Sequence, residues 1–208
     1  MTEIIKLDSI NSTNTYANHM LAKTPQLPFV VTAREQYAGR GRYGRSFHSP
    51  AGSGVYLSYV FSADYDIDTL LKITVVAAAA VHSILRKFCD GLSIKWINDI
   101  YKDDRKVAGI LTERVDDPSC PGKYYIIIGV GINVIPCEVP SELSDIIGFV
   151  GNSSTDASVI DQITELIIDA FDSIFGDPSA DEFPLLIEYY RLHCRELPAD
   201  FGNKLSDQ

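Results

Sequence analysis

Basic residues are scarce in this sequence. Eighteen Lys and Arg against 28 Asp and Glu give the 208 residues a formal charge of −10, which argues against general binding to nucleic acid or anionic membrane surfaces. An anionic ligand would need a local exception. Cysteines are few (Cys89, Cys120, Cys137 and Cys194) and none stand in a CxxC pair, so a disulfide framework or zinc site is not expected. With no signal peptide opening the chain, they read as reduced thiols of a cytoplasmic protein. Long apolar runs are missing as well: Val75–Val81 falls far short of the roughly 18 residues needed to span a bilayer. No internal repeat, low-complexity tract or linker divides the chain, so it reads as one α+β domain with a sheet covered by helices.

What is present is an ordinary globular composition, 46% hydrophobic and 22% charged, with recognisable periods. Asn11-Ser12-Thr13-Asn14 supplies capping residues for a helix that Pro25 and Pro28 close. Phe29–Ala33 and Val55–Phe61 read as strands rich in β-branched and aromatic residues. Asp66 to Asp68 are expected to cap a long apolar helix through Lys87, with Gly91 just beyond its end. Leu92–Ile97, Lys106–Val115 and Tyr124–Val130 read as three successive strands joined by short turns, which favours antiparallel pairing. Helices near Val159–Phe175 and Pro184–Leu197 close the chain.

The charge reverses locally in Ala38-Gly39-Arg40-Gly41-Arg42-Tyr43-Gly44-Arg45-Ser46. Between Arg34 and Arg45 four arginines face the single acid Glu35, a net charge of +3. Glycines let the backbone approach a ligand closely, and arginines offer planar forks to phosphate or carboxylate. The segment therefore reads as an anion-binding loop, a solvated turn being the blander alternative. Gly39, Gly41 and Gly44 fit GxGxxG, and Gly39 to Ser46 nearly fits the Walker A pattern. Both patterns need a helix to follow, and Pro50, Gly52 and Gly54 oppose one.

A second polar cluster, Lys95-Trp96-Ile97-Asn98-Asp99, places Lys95, Ile97 and Asp99 on one side of a strand unless a turn begins at Asn98. Downstream, Lys106-Val107-Ala108-Gly109-Ile110-Leu111 carries a cation into a largely apolar strand, where its effect on a ligand would be strengthened. Taken singly, each of these residues is as readily structural as functional: Trp96 reads as core and Asn98 as a turn cap. His48 and His82 accompany no nucleophile pattern and read as surface or core residues.

Together, and in order, Ser12-Thr13-Asn14, Gln36 with Gly39 to Arg45, Ser49-Pro50, Lys95 to Asp99, Lys106 to Leu111 and Gly129-Val130-Gly131-Ile132-Asn133 resemble the biotin protein ligases. The resemblance implies a mixed, largely antiparallel sheet backed by helices, related to class II aminoacyl-tRNA synthetases. It implies residues 1–190 as the catalytic domain and 191–208 as a C-terminal tail, with neither the N-terminal DNA-binding domain nor the SH3-like C-terminal barrel of some members. The implied activity makes biotinyl-5′-AMP from biotin and ATP with Mg²⁺, then transfers biotin to a lysine of a carboxyl carrier protein, with no DNA or membrane partner. A homodimer through a sheet edge is a family feature, though no hydrophobic edge here identifies one.

By motif, Ser12, Thr13, Asn14, Gln36, Gly39, Arg40, Arg42, Lys106 and Gly109 correspond to biotin contacts. Arg42, Arg45, Phe47, Lys95, Asn98, Asp99 and Asn133 correspond to the ATP side, and no protein residue is assigned as a metal ligand. Lys106, with Arg42, would be catalytic by bridging the biotin carboxylate and the α-phosphate. The Arg40–Phe47 loop is expected to order on ligand binding. Two departures stand out: Ile97 replaces a usual proline, which should loosen the backbone before Asn98, and Phe47 replaces a frequent tryptophan, losing an indole N–H. Alternatives are a lipoate-type ligase, a biotin-binding domain with weak or no transfer, and a generic RNA-binding domain.

Overall fold

The computed structural model describes residues 2–23, 25–63, 68–117, 120, 122–176 and 182–205. Glu3–Ile10 forms β1, Thr13–Leu21 α1, Phe29–Gln36 β2, Gly54–Ala63 β3 and Asp68–Leu85 α2. Leu92–Lys95, Asp99–Lys102, Arg105–Asp116 and Tyr124–Asn133 are β4 to β7, and Ser158–Phe175, Phe183–His193 and Phe201–Leu205 are α3 to α5. Among the described residues the strands make one sheet in the order β1-β2-β3-β7-β6-β5-β4. Only β1 and β2 run parallel, joined by the α1 crossover, and the other neighbours are antiparallel. The α+β, largely antiparallel expectation is what the chain adopts.

Strand alternation sorts the side chains onto two faces. Val30, Leu57, Tyr59, Phe61, Ile126, Ile128 and Val130 point into a large core closed by α2, α3 and α4. The expected burial of the long helix is complete from Val75 to Val81. Its expected cap at Asp66 lies outside the described residues. On the other face, Phe29, Val31, Val60 and Ile127 pack under Ala17 and Leu21 of α1 in a much smaller cluster. Ser12 caps α1, its Oγ accepting from the Thr15 N–H, as the sequence predicts.

The structure departs from the expected bounds in two places and shows two features that the sequence reading did not describe. β1 carries no strong apolar run, since only Ile5 and Leu7 of this edge strand pack inward. The strand expected over Leu92–Ile97 stops at Lys95, because Trp96–Asn98 turns the chain back into β5 and pairs Lys95 with Asp99. Ile97 is consequently buried in the core, whereas Lys95 is exposed, so Lys95, Ile97 and Asp99 do not share a side. The final helix ends at His193 rather than Leu197, since Cys194 turns extended and bridges to Ile94. Finally, residues beyond α4 pack back against β4 and α4. The Arg195 N–H donates to the Ile94 carbonyl at 2.9 Å, while Phe201 stacks on Tyr190 and meets Trp96 edge-on.

Candidate functional site

On the α1 face, β7 changes from Ile127 to Gly129 and Gly131, and alternation keeps all three on the same side. Register sets Leu111 beside Gly129 and Gly109 beside Gly131. A depression therefore opens at the N-terminus of α1, where the strands lack side chains to fill it. Each glycine receives a polar or aromatic side chain from elsewhere. A Cβ on Gly129 would stand 2.2 Å from Asn14 Oδ1, one on Gly131 2.6 Å from the Phe47 ring, and one on Gly109 3.0 Å from Lys106 Nζ. The result is a cavity of about 840 Å³ lined on one side by Ser12, Thr13 and Gln36 and on the other by Lys106, Asp99 and Asn98.

Hydrogen bonds fix the first side. The Gln36 side-chain carbonyl accepts from the Thr13 N–H at 2.8 Å and its hydroxyl at 3.1 Å. Its amide donates to Ser49 Oγ at 3.0 Å, which donates to the Phe47 carbonyl at 3.0 Å. Asn14 is saturated: Ser58 donates to its Oδ1 at 2.5 Å, and its amide donates to Glu113 Oε2 at 2.8 Å and the Leu111 carbonyl at 3.4 Å.

On the opposite side, Lys106 Nζ lies 2.7 Å from Asp99 Oδ1, with both side chains about one-quarter exposed. The largely apolar strand β6 thus leaves its cation on the cavity lining, partly exposed and paired. Its backbone is held on both sides, its N–H donating to the Ile146 carbonyl and its own carbonyl accepting from Gly148, each at 2.8 Å. Asn133 adds a weaker brace from its amide to the same carbonyl at 3.4 Å. Asn98 ties its turn to β6 by donating to the Ile110 carbonyl at 2.7 Å. Tyr190 donates to the Ile97 carbonyl at 3.0 Å. The backbone before Asn98 is thus tied down where a looser segment was expected. Both the Trp96–Ile97 and Leu27–Pro28 peptide bonds are cis.

The arginine loop is itself a small hairpin. Arg40 bridges to Ser46, the Gly41 N–H donates to the Arg45 carbonyl at 2.7 Å, and the Phe47 N–H donates to the Gly39 carbonyl at 2.9 Å. No helix follows it, so the dinucleotide and Walker A readings fall. Tyr43 takes positive φ at the tip. Arg42 donates to Asn98 Oδ1 at 3.2 Å, and Arg40 meets Glu113 Oε1 at 2.8 Å. The exit of the loop is pinned by Tyr56, which donates to the Pro50 carbonyl at 3.1 Å. Burial pushes its phenol up to about 12, so it remains a donor at neutral pH.

Of the sequence-predicted residues, Ser12, Thr13, Asn14, Gln36, Arg40, Arg42, Arg45, Phe47, Lys95, Asn98, Asp99, Lys106, Gly109 and Asn133 all line this cavity. Gly39 does not: it is buried behind the Phe47 carbonyl, where a Cβ would stand 2.5 Å away, so it closes the hairpin instead. Gly109 leaves room that the Lys106 ammonium occupies. Lys95 points its ammonium over the Tyr101 ring at 5.4 Å, at the edge of the site. Sequence reasoning missed Leu143, Ile146 and Ile147, an apolar wall contributed from beyond β7, and Glu113, which stands behind the lining. The wall is foreshadowed only by scattered apolar residues in a polar loop. Glu113 has no motif at all. His82 lies outside the lining, whereas His48, given no role from the sequence, stands on it beside Phe47.

Residues 7–133 match the Biotin/lipoate A/B protein ligase family. Among curated proteins, the chain is similar to Bifunctional ligase/repressor BirA of Bacillus subtilis (strain 168). Identity is 33% over 144 residues, 69% of this chain and 44% of that protein. To Biotin--[acetyl-CoA-carboxylase] ligase of Paracoccus denitrificans it is 38% identical over 107 residues, 50% of this chain and 43% of that protein. The matches thus span less than half the length of these relatives. Among solved structures, the biotin protein ligase from Aquifex aeolicus in complex with biotin and ATP aligns with a TM-score of 0.66 at 26% identity, over 90% of this chain and 77% of that one. The Leishmania major biotin protein ligase in complex with biotin shares the fold, with a TM-score of 0.70 at 20% identity over 95% of this chain and 86% of that one.

Proposed function

The chain belongs to the biotin/lipoate A/B protein ligase family, and from that premise we propose that it joins biotin to ATP as biotinyl-5′-AMP and passes the biotinyl group to a lysine of a carboxyl carrier protein. The observation that carries this reading is the meeting, in one cavity, of the Ser12–Asn14 and Gln36 hydrogen-bonding corner with Lys106, Arg42 and Arg45. Neutral polar groups at one end and cations at the other suit a ligand with an amide-like head and a carboxylate, lying beside a nucleotide phosphate. The relatives named as biotin ligases favour biotin over lipoate.

In the first step a biotin carboxylate oxygen attacks the α-phosphorus, the bond to the bridging oxygen breaks, and pyrophosphate leaves. In the second, the acceptor amine attacks the acyl carbon, loses a proton, and AMP departs. The protein's work in the first step is to bring two anions together and stabilise charge at the α-phosphate. Lys106 is the residue assigned to this, and Asp99 holds its ammonium over Gly109 until the anions arrive. Arg42 and Arg45 take the outer phosphates, Arg42 being oriented by Asn98. Arg40 completes the biotin side. Phe47 offers a face to adenine, and Lys95 and Asn133 complete the nucleotide side.

Among the described residues no three His, Cys, Asp or Glu side chains gather into a metal cage, and Asp99 is the one carboxylate on the lining. That donor set suits a Mg²⁺ that arrives on the ATP phosphates, with Asp99 and Asn98 as its protein neighbours. Bound there, the ion neutralises phosphate charge. No helix among the described residues is long and apolar enough to cross a membrane.

The test is incubation with MgATP, biotin and a carboxyl carrier domain, read by intact mass. A gain of one biotinyl group, absent with lipoate, supports the reading. Acceptor left unmodified while biotin binds would favour a binding-only domain.

A further inference from the structure

Glu113 sits on β6 outside the cavity lining, yet it contacts both halves of the site. Its Oε2 accepts from Asn14 at 2.8 Å, and Asn14 is the third residue of the polar corner that begins at Ser12. Its Oε1 meets Arg40 Nη2 at 2.8 Å, with Nη1 3.5 Å from Oε2. One carboxylate therefore ties the α1 end of the cavity to the arginine loop across strand β6. Asn14 is locked from its other end by Ser58 and seated over Gly129, so Glu113 rests on a rigid partner and extends that rigidity to Arg40. Closely spaced arginines repel one another, and glycines leave the hairpin little intrinsic stiffness. A counter-charge fixed from the sheet offsets both effects.

We propose that Glu113 is a positioning residue that holds the Arg40–Phe47 loop closed over the cavity by clamping Arg40 to Asn14. The clamp needs a carboxylate, because Asn14 and Arg40 both present donors. An amide at the same position offers one acceptor oxygen and turns N–H groups toward the second donor. The Arg40 guanidinium is half exposed while Glu113 is about three-quarters covered. A pair so placed is worth more than a fully solvated one but far less than a buried one, so the effect is moderate and local.

The structural arm needs no assumption about the reaction. In Glu113→Gln, trypsin cleavage after Arg42 and Arg45, followed by peptide mass, should run roughly tenfold faster than in the parent, with the thermal midpoint essentially retained. Arg40→Gln should accelerate cleavage at the same two sites by a similar factor, and the double variant should be no faster than either single one, the signature of a shared interaction. This second route holds even if Glu113→Gln folds poorly. Independent effects that multiply, or parent-like cleavage in a folded Glu113→Gln, would overturn the clamp.

A kinetic arm rests on the ligase reading. Half-saturation by biotin should rise roughly tenfold in Glu113→Gln while turnover at saturating biotin stays within about twofold, and Glu113→Asp should recover part of the loss. Unchanged half-saturation would count against the clamp. If the parent shows no biotin-dependent turnover, the ligase reading fails while the cleavage arm still decides the clamp.

Discussion

The two faces of the sheet answer to different demands. Under α2, α3 and α4, the odd residues of β3 and the even residues of β7, Leu57, Tyr59, Ile126 and Ile128 among them, fill the space with large apolar groups. On the α1 face, β7 falls from Ile127 to Gly129 and Gly131, and the vacated room is taken by Asn14 and Phe47, with Lys106 beside them over Gly109. One face has volume and no polar function. The other gives up apolar burial in order to hold polar groups at fixed places. Stability and chemistry should therefore be separable by mutation, each face carrying one.

The largest expected effect breaks the first face. Phe171 is fully buried and meets Tyr59 edge-on at 5.6 Å. Phe171→Ala should lower the unfolding free energy by about 3–5 kcal/mol in denaturant titration, with activity per folded molecule retained. On the other face Lys106→Ala should keep the parental unfolding curve while lowering turnover by about 10³-fold, roughly 4 kcal/mol of transition-state stabilisation. Gly131→Ala sharpens the contrast by adding a single methyl where the Phe47 ring stands 2.6 Å from the Cβ position. Displacing the ring and its hairpin should cost roughly ten- to a hundredfold in kcat/KM, with stability lowered by only about 1 kcal/mol.

At neutral pH the smallest effect belongs to the packed face, where a buried histidine shows itself only on acidification. His82 is fully buried and 3.0 Å from the Tyr189 hydroxyl. Burial lowers its pKa to about 4, the charges of His193 and Arg86 pressing the same way and a backbone hydrogen bond at Leu92 opposing. Above the usual value of about 6.5 both folded and unfolded states hold it neutral, and it adds no pH dependence. Between about 6.5 and 4 the unfolded chain binds the extra proton, so stability falls as pH falls, by about 3 kcal/mol across that window. In His82→Asn, chemical denaturation at stepped pH should show a correspondingly shallower decline.

Much of this arrangement is legible in the amino-acid sequence because it depends on local patterns. Ser12 announces a cap, the Val75–Val81 run announces a buried helix, and a net charge of +3 in an acidic chain points to the arginine loop. What is not legible arises from partners distant in the chain. β1 gains its place by pairing with β2 rather than through its own hydrophobicity. The break between β4 and β5 turns on three residues whose composition would also suit a continuous strand. Residues 194–205 pack because Ile94, Tyr190 and Trp96 leave an edge for them to cover. Glu113 has no neighbour in sequence that hints at Asn14, 99 positions away. Likewise, the ion pair of Lys106 with Asp99 emerges only when β5 folds back alongside β6.

In the proposed reaction the cavity joins biotin to the α-phosphate of ATP with Lys106 between them. Exchange of labelled pyrophosphate into ATP, measured with MgATP and no acceptor protein, tests that step alone. Exchange should depend on biotin, fail with lipoate, and be lost in folded Lys106→Ala. Biotin-dependent exchange that persists in that variant, or no exchange in the folded parent, would contradict it.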